Sequence, residues 1–227
     1  MFFPEKITLI KQKDKVLEVG PGGNPYDRSD VFLELRQKDD DAYYQRGLTD
    51  HLITDKPLFY YENNSKFPFE DNQFDYVICS HVIEHVENIP FFLNELFRVA
   101  QKGYLEYPTI YYEYLYNFSV HKNFIKFNDN CLYYLKKENT SINEFLPVQN
   151  FYYDTLKNGY EELNREFKHI MFEGFEWKRQ FKFKNTFSID DLVFKGYNII
   201  NTNYRERDSP LKLKILKSIK KFRGLYK

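Results

Sequence analysis

The feature that most constrains the fold is a short apolar run, Val16, Leu17 and Val19, that stops at Gly20-Pro21-Gly22-Gly23. A brief apolar stretch closed by turn residues reads as a strand buried on both faces of a parallel sheet. Parallel strands must be joined by crossovers, so the rest of the chain has to alternate strands with helices or long loops. It does. Val31–Leu33 ends in Glu34, Leu58–Tyr61 offers a third strand, and Asp75–Cys79 a fourth, introduced by Glu70-Asp71-Asn72 and preceded by Phe67-Pro68-Phe69. The period then changes: Ile89, Phe92, Leu93, Leu96, Phe97 and Val99 share one helical face, with Asn88 as N-cap and Pro90 in the first turn. This helix is expected to stop near Lys102-Gly103, where glycine would supply a left-handed cap. Tyr104–Tyr107 is the fifth strand, closed by Pro108. The pattern predicts an α/β fold with a doubly wound, mostly parallel sheet.

At 227 residues the chain suits one domain, 1–209, with an aromatic-rich cap inserted after residue 109 and a distinct segment at 210–227. Within the second half, Phe124–Phe127 and Cys131–Leu135 flank Asn128-Asp129-Asn130 as a hairpin. Tyr152–Phe167 has helical spacing, and Met171–Phe175 and Gln180–Phe183 read as late sheet-edge strands. The 20 Tyr and 23 Phe crowd between Tyr104 and Phe187; they read first as core filling and second as a sugar- or ring-binding cleft. Cys79 and Cys131 fit neither a zinc nor a disulfide framework, which suits a reducing cytosol. With 33 basic and 33 acidic residues, the whole molecule offers no electrostatic attraction for nucleic acid. No stretch approaches the ~20 apolar residues that span a bilayer.

A turn of small residues after a first parallel strand lets backbone approach a ligand, and a following helix would add amide donors. Dinucleotide enzymes show G-x-G-x-x-G; here the order is Glu18-x-Gly20-x-Gly22-Gly23, with an acid before the turn. That acid suits a cationic ligand better than a pyrophosphate. It could equally be a strand-end carboxylate that caps nearby amides. The segments LEVGPGGNPY, DVFLE, SKFPFEDNQFDYVICSHVIEHVENIPFFLNELFRV and GYLEYPT, in that order between Lys15 and Thr109, resemble the methyltransferase type 11 group of class I S-adenosylmethionine-dependent methyltransferases. The resemblance implies a Rossmann-like, seven-stranded sheet with S-adenosylmethionine as cofactor and residues 1–109 as the cofactor-binding half. It implies that Glu18, Gly20, Pro21, Gly22 and Gly23 hold the methionine end and that Glu34 binds the ribose hydroxyls. Asn63 would face the adenine amine where the family commonly has Asp, and Ser80 and His81 would line the adenine and sulfonium side. Asn24 stands at the family's third small position and would need a positive φ.

Methyl transfer is an in-line displacement, so alignment matters most, and a base helps when the acceptor is a hydroxyl. His81, Glu84 and His85 are spaced by three and four, as on one helical face. They resemble in part the Glu-x-x-Glu-His cluster of metal-dependent small-RNA ribose methyltransferases, with His81 in place of the first acid. No metal is assigned to them at this level. Glu84 and His85 are read as satisfying each other where helix meets sheet, or as catalytic. His81 is the first candidate for base or acceptor contact, Glu106 ends the fifth strand on the same edge with Tyr107 and Thr109, and His121 is a second base candidate. His51 and His169 have no such context. Pro210–Lys227 is basic without an acid, and Leu211, Ile215, Ile219 and Phe222 recur at helical spacing, as in an amphipathic helix on an anionic membrane surface or one docked on its own domain. The combined expectation is a cytoplasmic enzyme, peripheral to the membrane's inner face through 210–227. It would methylate a small molecule or sugar of surface-glycan assembly. The alternatives are another small metabolite as acceptor, or a non-catalytic module that keeps the cofactor fold.

Overall fold

A computed structural model describes residues 1–36, 52–157 and 167–194. The basic segment 210–227 and His51 lie outside the described residues. Strands β1 (Val16–Val19), β2 (Val31–Leu35), β3 (Leu58–Tyr61), β4 (Tyr76–Ser80) and β5 (Gly103–Pro108) form a parallel sheet. Strand β8 (Phe172–Trp177) is added antiparallel beside β5, and the order is β3-β2-β1-β4-β5-β8. The expected α/β class and mostly parallel sheet are present, with six strands in the main sheet among the described residues. The later segment β9 (Lys182–Asn185) pairs instead with β7 of a second sheet. That sheet comprises the hairpin of β6 (Asn123–Asn128) and β7 (Cys131–Lys136), turned by Asp129 and Asn130 at positive φ, together with β9.

Side chains alternate along each strand, so β1, β4 and β5 bury two separate layers. Leu17, Val19, Val77, Cys79, Leu105 and Tyr107 meet helix α1 (Ile89–Val99) and the second sheet in the main core. Val16, Tyr76, Ile78 and Tyr104 point the other way and are covered by Ile7, Leu9, Ile10 and Tyr26. Among the described residues, extended and loop segments line this second layer. Two acids fasten it: half-buried Glu176 accepts from Thr8 N, Thr8 Oγ and Leu9 N, and buried Glu106 accepts from Phe2 N and Phe3 N. Helix α2 (Ile110–Tyr116) follows β5, and α3 (Leu146–Lys157) and the single turn α4 (Lys168–Met171) precede β8.

Three local expectations change. Asn88 caps α1 by accepting from Phe91 N as expected, but the helix ends at an extended Ala100. Gly103 begins β5 and is small for another reason: a Cβ there would stand 2.4 Å from the Trp177 ring. No helix follows the turn after β1, because Pro21, Pro25 and the glycines are poor helix formers. Gly20–Asp30 is instead a loop pinned by Arg28, which reaches Asp30 and the carbonyls of Lys11, Gln12 and Asp14. Asn24 is not among the positive-φ residues, which here are Gly20 (+66°) and Gly22 (+57°).

Candidate functional site

Strand order reverses between β1 and β4, so the C-terminal ends of β2, β1, β4 and β5 surround a topological switch point. Ligands of open parallel sheets settle at such a crevice. Gly20–Gly23, Glu34, Ser80–His81 and Glu106 all end strands on that edge. Gly20 N donates to Leu33 O at 2.8 Å, which ties the turn to β2 just before Glu34. Gly22 has nothing within 4 Å of where a Cβ would stand, so its backbone borders open space. Asn63 lies beyond β3, exposed, on a cleft shared with Tyr61, Phe67, Val86 and Phe92. Asn64, Ser65 and Asn88 also line it, and aromatic walls with a few polar groups suit a flat heterocycle.

Glu18 takes the capping geometry. Its Oε2 accepts from Tyr26 N at 2.9 Å and Ser29 Oγ at 2.7 Å, so it shapes the loop after the turn. Burial pushes this carboxyl up to about 7, against the pull of those two hydrogen bonds. Burial likewise pushes the Cys79 thiol up, leaving it an inert core group.

On the β4–β5 side, Glu106 is fully buried and saturated. Besides Phe2 N and Phe3 N it binds Ser80 Oγ (2.9 Å), Tyr104 OH (2.5 Å) and His81 Nε2 (3.0 Å). Burial raises its carboxyl, but His81 and Tyr104 outweigh that and hold it down at about 2. Glu106 therefore organises the edge without offering a free oxygen. His81 sits at φ +57°, a quarter exposed, with Nε2 on Glu106 and Nδ1 3.4 Å from Glu84 Oε1. Burial opposes its protonation, yet Glu106 and Glu84 prevail and raise it to about 9, so it is an imidazolium at neutral pH. Phe2 and Phe172, stacked on each other at 3.7 Å, both meet the His81 ring edge-on. Nothing in the sequence marks Phe2 and Phe3 as neighbours of this edge; only the pairing of their amides with Glu106 brings them there.

Ile83–His85 is one 3-10 turn, not the start of a helix. It brings both histidines to one Glu84 oxygen, with His81 Nδ1 3.4 Å and His85 Nε2 4.0 Å from Oε1. Asn123, buried, donates to Val86 O, and Lys122 N donates to Glu84 O, so the start of β6 carries His121 to the same place. His121 Nδ1 meets Glu113 Oε1 at 2.5 Å, and His85 Nδ1 meets Val120 O at 3.1 Å. Burial, reinforced by His121, lowers His85 to about 4 and keeps it neutral. The expected Glu84–His85 hydrogen bond is absent: both Glu84 oxygens are buried without a hydrogen-bond partner among the described residues. Burial raises Glu84, but His81, His85 and His121 outweigh it and leave the carboxyl below its ordinary value. His169 lies against the Phe3 ring, away from this group.

Residues 36–105 match the family model described as a methyltransferase domain. Among solved structures, a SAM-dependent methyltransferase of Thermotoga maritima aligns at 16% identity over 47% of this chain and 49% of its own, with a TM-score of 0.32. A SAM-dependent methyltransferase of Aquifex aeolicus aligns at 18% over 42% and 57%, with a TM-score of 0.28. The chain thus covers about half the length of these structures. No curated protein matches it. The match at 36–105 runs from the end of β2 into β5 and covers less than half of the chain, so this part of the chain is similar to a methyltransferase domain.

Proposed function

We propose that the chain transfers a methyl group from S-adenosylmethionine to a small-molecule or sugar acceptor. The observation that carries this reading is the convergence of Gly22's open backbone, Glu34 and Ser80–His81 at one switch point. The residues fit such a cofactor. A glycine turn admits the amino-acid end, a carboxylate at the end of β2 can accept two ribose hydroxyls, and the Asn63 cleft has apolar walls for a base. When bound, the cofactor supplies an electrophilic methyl on a sulfonium. Gly20–Gly23 and Glu34 hold it, Glu18 shapes the loop that follows the turn, and Glu106 fixes Ser80 and His81 beside it. Alignment of acceptor and methyl is the main contribution asked of these groups.

His81 is assigned the acceptor contact, since it is the partly exposed charged group on this edge. A surface-glycan acceptor is supported by the resemblance and by the basic segment 210–227, a candidate for peripheral membrane contact. The cap's rings support it less. Tyr112 packs in a core cluster, stacked on Phe118 and tilted against Phe172, although Phe145 and Phe151 stand exposed. Among the described residues no helix is long and apolar enough to cross a membrane.

Calorimetric titration with S-adenosylmethionine and S-adenosylhomocysteine tests the reading. Saturable binding of both is expected; no binding of either at high micromolar concentration removes it.

A further inference from the structure

A buried carboxylate without a hydrogen bond is costly, and native structures rarely leave one. Glu84 is such a group: it is fully buried, neither oxygen has a hydrogen bond among the described residues, and Oε2 has no ion-pair partner while Oε1 has His81 Nδ1 at 3.4 Å. Besides His81, two imidazoles whose Nδ1 atoms are already engaged elsewhere lie around it. In His85 and in His121 the Nδ1 atom is engaged by an oxygen acceptor, the Val120 carbonyl and the Glu113 carboxylate respectively. An Nδ1 that donates its proton to such an acceptor leaves Nε2 as a lone pair. One ligand atom from each of Glu84, His85 and His121 falls within 4.8 Å of the others. The two rings meet nearly at right angles, with centroids 4.6 Å apart.

We propose that Glu84, His85 and His121 form a binding site for a divalent transition-metal ion. Two imidazole nitrogens and one carboxylate oxygen are the donor set of zinc, cobalt, manganese and iron sites, and unlike an all-oxygen cage they disfavour calcium and magnesium. The outer groups fit as well. Glu113 on His121 Nδ1 is the carboxylate that typically orients a ligating histidine, and it is itself anchored by Lys137 Nζ at 2.9 Å. Three protein ligands leave a position for water or for an acceptor oxygen. The site adjoins the proposed acceptor edge, because His81 Nδ1 is 3.4 Å from the same Glu84 oxygen. His121 is then a ligand, not a base.

The inference is independent of the cofactor reading and is tested without it. The full chain, stripped with chelator and dialysed, is titrated with cobalt(II) and followed by visible absorption, then by displacement with zinc. One saturable equivalent with d–d bands is expected. His121→Ala should weaken it by at least the factor of roughly 10–100 typical for loss of an orienting outer group, and Glu113→Gln by about that factor. Folding of each variant is checked by circular dichroism and by cooperative thermal unfolding. For the unaltered chain, anomalous diffraction from cobalt-soaked crystals gives a second reading. A peak bonded to Glu84, His85 and His121 supports the site, whereas a peak elsewhere or none overturns it. Absence of saturable cobalt or zinc binding, or an unchanged affinity in a folded His121→Ala protein, also overturns it.

Discussion

A Cβ on Gly20 would stand 2.3 Å from Val82 Cγ2, so the turn after β1 and the loop after β4 are in direct contact. The two halves of the ligand edge are thereby locked together, and Gly20 also needs its φ of +66°. Gly20→Ala combines a clash with backbone strain and is expected to cost about 2–4 kcal/mol of stability. Gly22→Ala, with the strained φ but open space, should cost only about 1 kcal/mol and act mainly on cofactor affinity. Denaturant unfolding of the two variants checks the order.

Glu106 is the anchor of the N-terminal segment. Glu106→Ala leaves the Phe2 and Phe3 amides without their acceptor and the partly exposed His81 imidazolium with Glu84 alone, an expected loss of about 2–4 kcal/mol. Hydrogen exchange on peptides covering residues 1–10 should accelerate before the rest of the sheet opens. Unchanged protection there would show that the segment is held by its apolar contacts alone.

Glu18 gives a pH signature. Its pKa, raised from 4.5 to about 7 by burial, means the folded protein binds a proton that the unfolded chain has released between those values. Stability from this group is therefore full below about 4.5 and falls as pH rises to about 7, by at most about 3 kcal/mol. Glu18→Gln keeps an oxygen for Tyr26 N and Ser29 and removes the titration. Its melting temperature should exceed that of the unaltered chain at pH 8 and match it at pH 4.5.

How much of this was legible in the sequence depends on range. The strands, the Asn88 cap and the Asn128–Asn130 hairpin turn are local signals, and they appear where the pattern puts them. Gly103 was misread because its reason is Trp177, far along the chain, and the helix after the turn was overruled by prolines within the loop itself. The edge residues Gly20, Glu34, Ser80 and His81 were readable because strand ends mark them. The His85–His121 pairing was not, since Asn123 brings β6 back to the 3-10 turn through hydrogen bonds that no spacing announces. The coverage of the second sheet layer by extended chain is likewise a long-range consequence of Glu106 and Glu176.

Replacing Gly103 by Ala tests the packing reason assigned to it. The added methyl meets the Trp177 ring and the Val77 carbonyl at about 2.5 Å, so β5 or β8 must shift. An expected cost of about 1–3 kcal/mol, with reduced Trp177 fluorescence burial, follows from overpacking. Stability equal to that of the unaltered chain would contradict the packing reason.

The central claim, that the β1/β2 edge binds the cofactor, is tested most directly by S-adenosylhomocysteine affinity in Glu34→Ala. Loss of hydrogen bonds to a charged acceptor should weaken binding by about 1–3 kcal/mol, roughly five- to 150-fold, in a variant that circular dichroism shows to be folded. An affinity equal to that of the unaltered chain would contradict the placement of the ribose at Glu34.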